Sequence, residues 1–303
     1  MKRRNFIQNT TAATAFLTLG GLSLQSFSGE KTKKITILHT NDTHSHIEPF
    51  PNNHYRNPNK GGVARRANLI QQIRAENPNT LLLDAGDIFQ GTPYFNFYGG
   101  ELEFKLMSML KYDVATIGNH DFDNGIDGLY KQLPNASFDF VSANYNFKNT
   151  ILDTHVNPYK VFIKDGIKIG VFGLGIELTG LVDNRLYKET KYLNPIEIAQ
   201  DTSRVLKEDE QCDLVICLSH LGYHYKDENQ IGDLQLASKT KNIDLIIGGH
   251  THTFLKKPTV TKNSIGENML VNQVGCYGIN LGRIDFYFDS DKNKASSGKS
   301  IIV

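Results

Sequence analysis

The stretch Gly118-Asn119-His120-Asp121-Phe122-Asp123 brings an amide, an imidazole and two carboxylates together at the end of an apolar run, residues 113–117. The run is typical of a buried strand, and the glycine ends it. Four polar side chains in this place form either an Asn/Asp-rich turn or a functional site. The stretch alone leaves both interpretations open.

Polar side chains follow four other predicted strands in the same way. The strands cover residues 34–39, 80–84, 213–218 and 244–247, and their turns are Asn41-Asp42-Thr43-His44, Gly86-Asp87, Ser219-His220 and Gly248-Gly249-His250-Thr251-His252. In an open α/β sheet, the carboxyl ends of parallel strands share one edge. We therefore expect all five turns to meet at one crevice.

The spacing within these turns favours metal binding. Asp42 and His44 are two residues apart, as are His250 and His252, and residues i and i+2 of an extended chain point to the same side. The complete set of candidate ligands is Asp42, His44, Asp87, Asn119, His220, His250 and His252. This set exceeds the needs of one ion but suits two ions that share a carboxylate, roughly 3.5–4 Å apart.

The ligand types narrow the choice of metal. Nitrogen and oxygen donors without a thiolate favour Zn, Mn, Fe or a similar ion over Ca or Mg. Without metal, several carboxylates and imidazoles would be forced into contact beside apolar strands, at a cost of several kcal/mol for each uncompensated charge. The sequence therefore predicts two bound divalent ions and leaves their identity open.

The elements that carry these turns alternate between strands and helices, which predicts an α/β protein. Helical periodicity covers residues 62–76, 99–111, 195–207 and 233–241, with Met109 on the predicted buried side of the second helix. Residues 159–172 read as a β-hairpin turning at Asp165-Gly166, so the sheet is predicted to be mixed. Strands are also predicted at 138–143, 269–274 and 283–288, and the polar stretch 289–299 is predicted to be a solvated segment.

The first 28 residues have the pattern of an export signal. Lys2, Arg3 and Arg4 precede an uncharged run over residues 10–24, which is too short and too rich in Thr, Gly and Ser for a membrane span. Arg3-Arg4 resembles the twin-arginine signal, and a general secretory signal is the alternative. We therefore expect an exported protein, periplasmic or extracellular, whose mature chain has no integral membrane segment.

The composition excludes several other classes. Without the three basic residues of the signal, the chain has 30 Lys and Arg against 32 Asp and Glu, a net charge of −2. Neither a nucleic-acid partner nor an anionic membrane surface is indicated. The three cysteines do not form a disulfide framework and are predicted to be buried thiols.

The order of these motifs resembles the calcineurin-like metallophosphoesterase superfamily, and the longer phrases resemble its bacterial 5′-nucleotidase branch. Those phrases are Leu38-His39-Thr40-Asn41-Asp42-Thr43-His44, Gly86-Asp87-Ile88-Phe89-Gln90-Gly91-Thr92-Pro93 and Gly118-Asn119-His120-Asp121-Phe122-Asp123. The resemblance covers about residues 34–289. It implies a metallophosphoesterase-type layered αββα sandwich with mixed sheets, with residues 29–303 as the catalytic domain.

The resemblance also implies roles for individual residues. It assigns one ion to Asp42, His44 and His252, a second to Asn119, His220 and His250, and a bridging position to Asp87. His252 is the least certain ligand, because relatives of this branch often have Gln or Asn there. His120 would stabilise the phosphoryl group and assist the leaving oxygen, Asp123 would support His120, and Asp121 would have a structural role.

The resemblance implies an exported phosphohydrolase acting on 5′-nucleotides or similar phosphomonoesters. Nucleotidases of this branch normally carry a C-terminal specificity domain, and we expect none within residues 29–303. Either that domain is a separate polypeptide, or the chain uses its own loops, and residues 49–60 and 223–233 are candidates to frame a cleft. A 2′,3′-cyclic-nucleotide or diphosphate-ester phosphodiesterase is the alternative. Two further alternatives are a catalytic subunit that is silent until it docks with a second protein, and a non-catalytic binding module built on a metal-holding scaffold.

Overall fold

Two mixed β-sheets stack face to face and carry helices on their outer surfaces. The computed structural model describes residues 32–227 and 229–303, together with the backbone of residues 17–18. The helices are α1 Val63–Glu76, α2 Pro93–Tyr98, α3 Glu101–Met109, α4 Gly125–Gln132, α5 Asn184–Tyr187, α6 Pro195–Arg204 and α7 Asp233–Lys239. The strands are β1 Leu17–Thr18, β2 Lys33–Thr40, β3 Thr80–Asp84, β4 Val114–Ala115, β5 Asp139–Phe140, β6 Tyr145–Asn146, β7 Tyr159–Lys164, β8 Ile167–Leu174, β9 Lys191–Tyr192, β10 Leu214–Ser219, β11 Leu245–Gly248, β12 Thr259–Lys262, β13 Asn268–Asn272, β14 Asn280–Phe288 and β15 Lys294–Ile302.

Each large sheet combines parallel with antiparallel strands, and the antiparallel strands lie at one edge of the first sheet and at both edges of the second. The first sheet has the order β1-β15-β14-β2-β3-β4-β5, and β2 to β5 run parallel. The second has the order β12-β13-β11-β10-β8-β7, with β8, β10, β11 and β13 parallel. Strands β6 and β9 form a separate antiparallel pair. The mixed sheets predicted from the hairpin are thereby confirmed.

Three apolar layers hold the sandwich together. The central layer lies between the sheets and includes Ile37, Leu83 and Phe286 from the first sheet and Val171 and Ile216 from the second. Because strands buried on both faces present apolar side chains to both, they read as continuous apolar runs. Helices α1 to α4 cover the outer face of the first sheet, and α6 and α7 cover that of the second. The result is the predicted αββα arrangement.

The hairpin and the buried thiols predicted from the sequence are both present. The hairpin turns at Asp165 and Gly166, both with positive φ, as expected. The three cysteines are buried free thiols. The predicted signal over residues 1–28 lies outside the described residues, apart from the backbone of β1. Within the part of the chain that the structure describes, no helix is long and apolar enough to span a membrane.

Two predictions were wrong. The stretch 289–299 is not a solvated segment, because β15 starts at Lys294 and pairs along the whole of β14. Its buried residues are the small Ala295, Ser296 and Ser297, which give no apolar signal in the sequence. Met109 is 76% exposed, because α3 buries Phe104 and Met107 instead.

Candidate metal centre

The predicted donors lie at the carboxyl ends of parallel strands taken from both sheets. Strands β2, β3 and β4 of the first sheet lead to Asp42, Asp87 and Asn119, and strands β10 and β11 of the second lead to His220 and His250. The expectation of a single sheet edge was therefore too simple. The turns do converge, but at the seam between two stacked sheets.

The first group of donors consists of Asp42, His44 and His252, whose ligand atoms all lie within 4.8 Å of one another. His252 Nε2 lies 3.3 Å from Asp42 Oδ1 and 3.0 Å from His44 Nε2. Two ring nitrogens at that distance share either a proton or a cation. The carboxylate beside them makes a cation favourable.

The second group consists of Asp87, His220 and His250, again with ligand atoms within 4.8 Å of one another. His220 Nε2 lies 3.0 Å from Asp87 Oδ2, and His250 Nδ1 lies 2.9 Å from Asn119 Oδ1. Asn119 is thereby brought to the same place by direct contact with His250. All seven candidate ligands thus take part in one continuous cluster.

Two histidines are oriented by backbone carbonyls. His44 Nδ1 lies 3.1 Å from the Phe89 carbonyl oxygen, and His220 Nδ1 lies 2.7 Å from that of Ala85. Donation from Nδ1 leaves Nε2 free to bind a metal, which is the usual arrangement for metal-binding histidines. His220 Nε2 is fully buried and faces the Asp87 carboxylate. The donor set therefore fits two divalent cations.

The charges in the cluster shift the pKa values of its members. Burial acts to raise the pKa of Asp87, but His220, His44 and His120 outweigh it and leave that pKa below its usual value. Burial acts to lower the pKa of His220, yet the carboxylates of Asp87 and Asp42 raise it to about 10. The carboxylate of Asp87 and the charged imidazole of His220 therefore stabilise each other.

The backbone is strained where the donors are held. Five of the seven candidates have positive φ: Asp42 50°, His44 48°, Asp87 55°, His250 70° and His252 51°. Non-glycine residues rarely adopt this conformation, and each costs of order 1–3 kcal/mol. Such strain is concentrated at functional sites because the surrounding structure has to enforce it.

Asp121 fixes the two loops that follow β3 and β4. Its carboxylate is fully buried and accepts hydrogen bonds from four backbone N–H groups, those of Asp87, Ile88, Phe89 and Gly118, at 2.8–3.1 Å. Burial raises the pKa of Asp121 to about 7, and the charge of Asp87 adds to this effect. The structural role expected for Asp121 is thus that of a buried backbone anchor.

Gly118 permits this close approach of the two loops. A Cβ atom at this position would lie 2.2 Å from Asp87 Oδ1 and 2.5 Å from the Asp87 nitrogen. No rotamer change relieves a clash with backbone, so any larger residue would push the loops apart. The glycine that ends the predicted strand is therefore required by packing.

His120 and Asp123 form a hydrogen-bonded pair beside the donors. His120 Nδ1 lies 2.9 Å from Asp123 Oδ2, and the hydrogen bond is the main cause of the raised pKa of His120. The His120 side chain is 39% exposed, whereas the His220 side chain is fully buried. His120 therefore combines proximity to the cluster with access to a bound molecule.

Two positioning residues were missed from the sequence. Gln273 bonds through its side chain to Gly249 O, Thr251 Oγ1 and Thr253 N, and so holds the loop that carries His250 and His252. Asn41 accepts from Val274 N and donates to Gly275 O and Asp42 Oδ2. Gln273 directly follows strand β13, so the strand-end pattern could have identified it.

We expect the substitution Asp121→Asn to cost about 2–4 kcal/mol of unfolding free energy, because its NH₂ group would face buried N–H donors. Urea denaturation of the chelator-treated protein measures this cost, and metal stoichiometry should fall below that of the wild type. Asp153→Asn, at an exposed position, is the matched control. Unchanged stability and metal content in Asp121→Asn would contradict the anchoring role.

The sequence of this chain is similar to those of known proteins. The calcineurin-like phosphoesterase family model matches residues 35–254. The trifunctional nucleotide phosphoesterase protein YfkN of Bacillus subtilis is 34% identical over 88% of this chain and 19% of its own length. The 5′-nucleotidase of Vibrio cholerae is 33% identical over 95% of this chain and 55% of its own. Apart from YfkN, the chain spans about half the length of the curated relatives that it matches.

The fold of this chain is also similar to that of solved structures. The 5′-nucleotidase precursor of Thermus thermophilus superposes with a TM-score of 0.81 at 35% identity, covering 89% of this chain and 55% of that one. YfkN superposes with a TM-score of 0.74 at 27% identity, covering 89% of this chain and 91% of that one. The match to the family model covers most of the chain and includes all nine predicted site residues. This protein belongs to the calcineurin-like phosphoesterase family.

Proposed function

We propose that this protein hydrolyses phosphate monoesters, with 5′-nucleotides as substrates, at a centre of two divalent metal ions. The observation that carries the proposal is the pair of donor groups in contact with each other beside His120 and Asp123. The relatives named 5′-nucleotidase support the nucleotide as substrate.

The arrangement of donors supports a shared ligand between the ions. Asp87 Oδ2 lies 3.0 Å from His220 Nε2 and 3.8 Å from His44 Nε2, so one oxygen faces both groups. We assign Asp42, His44 and His252 to one ion, Asn119, His220 and His250 to the other, and Asp87 to both. The contacts of His252 with Asp42 and His44 support its place in this set.

When bound, the two ions supply Lewis acidity that activates water and offsets charge on the phosphoryl oxygens. His120 contributes through its position. Its Nδ1 is engaged by Asp123, which fixes the ring and leaves Nε2 to contact the phosphoryl group or the leaving oxygen. In typical enzymes, a proton donor positioned at the leaving oxygen increases the reaction rate by roughly 10²–10⁴-fold.

We expect the purified mature chain to release phosphate from AMP when it is supplied with Mn or Zn, and to lose that activity after chelation. The test is a panel of mono- and diesters assayed with each metal, together with metal analysis. Two ions per chain and fastest turnover of a 5′-nucleotide support the proposal. Failure to hydrolyse any phosphoester in the fully metallated state would contradict it.

A second activity is favoured by one comparison. YfkN is named a trifunctional nucleotide phosphoesterase and is 34% identical, so the alternative is hydrolysis of 2′,3′-cyclic nucleotides or diphosphate esters. Two metals select a phosphorus ester without selecting its leaving group. Faster turnover of the cyclic substrates than of any 5′-nucleotide in the same panel would favour this alternative. Activity that requires an added, separately encoded specificity domain would identify the chain as a catalytic subunit.

We expect His120→Ala to lower kcat for AMP by roughly 10²–10³-fold, because the leaving oxygen loses its proton donor. The loss should be smaller with p-nitrophenyl phosphate, whose leaving group needs less help. Metal content should stay at the wild-type level, as measured by elemental analysis. His155→Ala, at an exposed position, is the control, and wild-type activity of His120→Ala on AMP would refute the assigned role.

We also propose that the protein is exported, on the basis of Arg3, Arg4 and the uncharged run after them. Replacement of Arg3-Arg4 by a Lys pair should block transport by the twin-arginine route. Cell fractionation measures the outcome. Unimpaired export of the variant would point to the general secretory route, and a cytoplasmic wild-type chain would contradict export altogether.

A further inference from the structure

A cavity of about 730 Å³ opens beside the second donor group. His250 forms part of its wall, and the same ring contacts Asn119 and lies 5.4 Å from the ring of His220. A phosphoester whose phosphorus sits at the donors therefore has this space directly next to it. The volume lies within the range of small-molecule sites.

The lining of this cavity has a distinct chemical character. Ile176, Leu221 and Ile231 supply apolar surface, and Tyr192 supplies a partly exposed aromatic ring. The charged side chains in the lining are the carboxylates of Glu177 and Asp227, and no lysine or arginine of the described residues belongs to it. Such a wall disfavours anions and accepts hydrogen bonds from hydroxyl groups.

The rim of the cavity is fixed to the loop that carries the donors. Tyr223 N donates to Thr251 Oγ1 at 2.9 Å, and the Tyr225 hydroxyl donates to Leu221 O at 2.7 Å. The segment 223–233, expected to frame a cleft, is thus tied to the residue after His250. One end of this segment is therefore held next to the donor loop.

A second cavity makes the contrast clear. It has a volume of about 650 Å³ and is lined by the cations Arg56, Lys60 and Lys256. None of the seven candidate ligands belongs to its lining among the described residues. Tyr277 in its wall lies 5.9 Å from the ring of His44 and 5.8 Å from that of His252, so this cavity adjoins the first donor group. Its charge would suit an anionic group, whereas the cavity with His250 in its wall bears carboxylates.

We infer that the cavity beside His250 binds the leaving group of the substrate, and that this leaving group is a neutral molecule with hydroxyl groups and a planar ring, of the nucleoside class. This inference rests on the proposed function and names its leaving-group site. Tyr192 packs against the planar ring. Glu177 and Asp227 accept hydrogen bonds from the hydroxyl groups.

A binding experiment tests the inference without catalysis. The chain contains no tryptophan, so Tyr192→Trp places a single tryptophan in the cavity as a fluorescent reporter. We expect adenosine to quench this reporter, and Glu177→Gln with Asp227→Asn in the same background to weaken adenosine binding by roughly 5–10-fold. The matched control is Glu189→Gln with Asp201→Asn, which removes two exposed carboxylates outside the lining.

A kinetic experiment separates this inference from the proposed function. The variant Glu177→Gln/Asp227→Asn should raise KM for AMP by roughly 5–10-fold and leave KM for p-nitrophenyl phosphate unchanged. Tyr192→Phe should retain the KM for AMP, whereas Tyr192→Ala should raise it. If AMP is hydrolysed but the variants change neither KM nor adenosine binding, the inference fails alone. If no phosphoester is hydrolysed, the proposed function fails, and the adenosine titration still decides whether the cavity binds a nucleoside.

Discussion

The buried carboxylate of Asp121 is the constraint on which the centre depends. It accepts N–H groups from three successive residues after β3 and from Gly118 after β4. Successive backbone N–H groups turned toward one point form an anion-binding concavity, and here a side chain of the protein fills it. The two loops are thereby locked together, which fixes Asp87 and Asn119 relative to each other before any ion binds.

This anchoring explains how a strained backbone persists. Five candidate ligands with positive φ would relax if their loops were free. Hydrogen bonds from outside the ligand set, together with one bond within it, prevent this relaxation. Asp121 holds the loop of Asp87, Gln273 holds the loop of His250 and His252, and His250 N donates to Asp42 Oδ1 at 2.9 Å. The two sheets carry these loops at fixed separation, since the apolar layer between them is closely packed.

The sequence predicted which polar side chains come together better than it predicted the two sheets that bring them there. Polar residues at strand ends were identified because packing alone does not explain an Asp or a His directly after a buried strand. The assignment of those strands to two sheets could not be read locally, since an apolar run such as that of β2 or β10 indicates a buried strand without indicating its sheet. Strand β15 was missed because Ser296 and Ser297 fit a crowded interior by size, a property that hydropathy does not record. Met109 was misplaced because the helix around it is shorter and rotated relative to the periodicity.

The candidate metal ligands lie at strand ends, whereas the cavities beside them are lined mainly by loops. The donors sit where the sheets fix them, so their geometry follows from the register of β2, β3, β10 and β11. The two cavities are instead built largely from connecting segments, and they differ in charge although they lie on one domain. Connecting segments tolerate substitution more readily than buried strands. If the cavity beside His250 takes the leaving group, as proposed, a change of leaving group requires new residues around Glu177 and Asp227, whereas the donors at the strand ends can stay as they are.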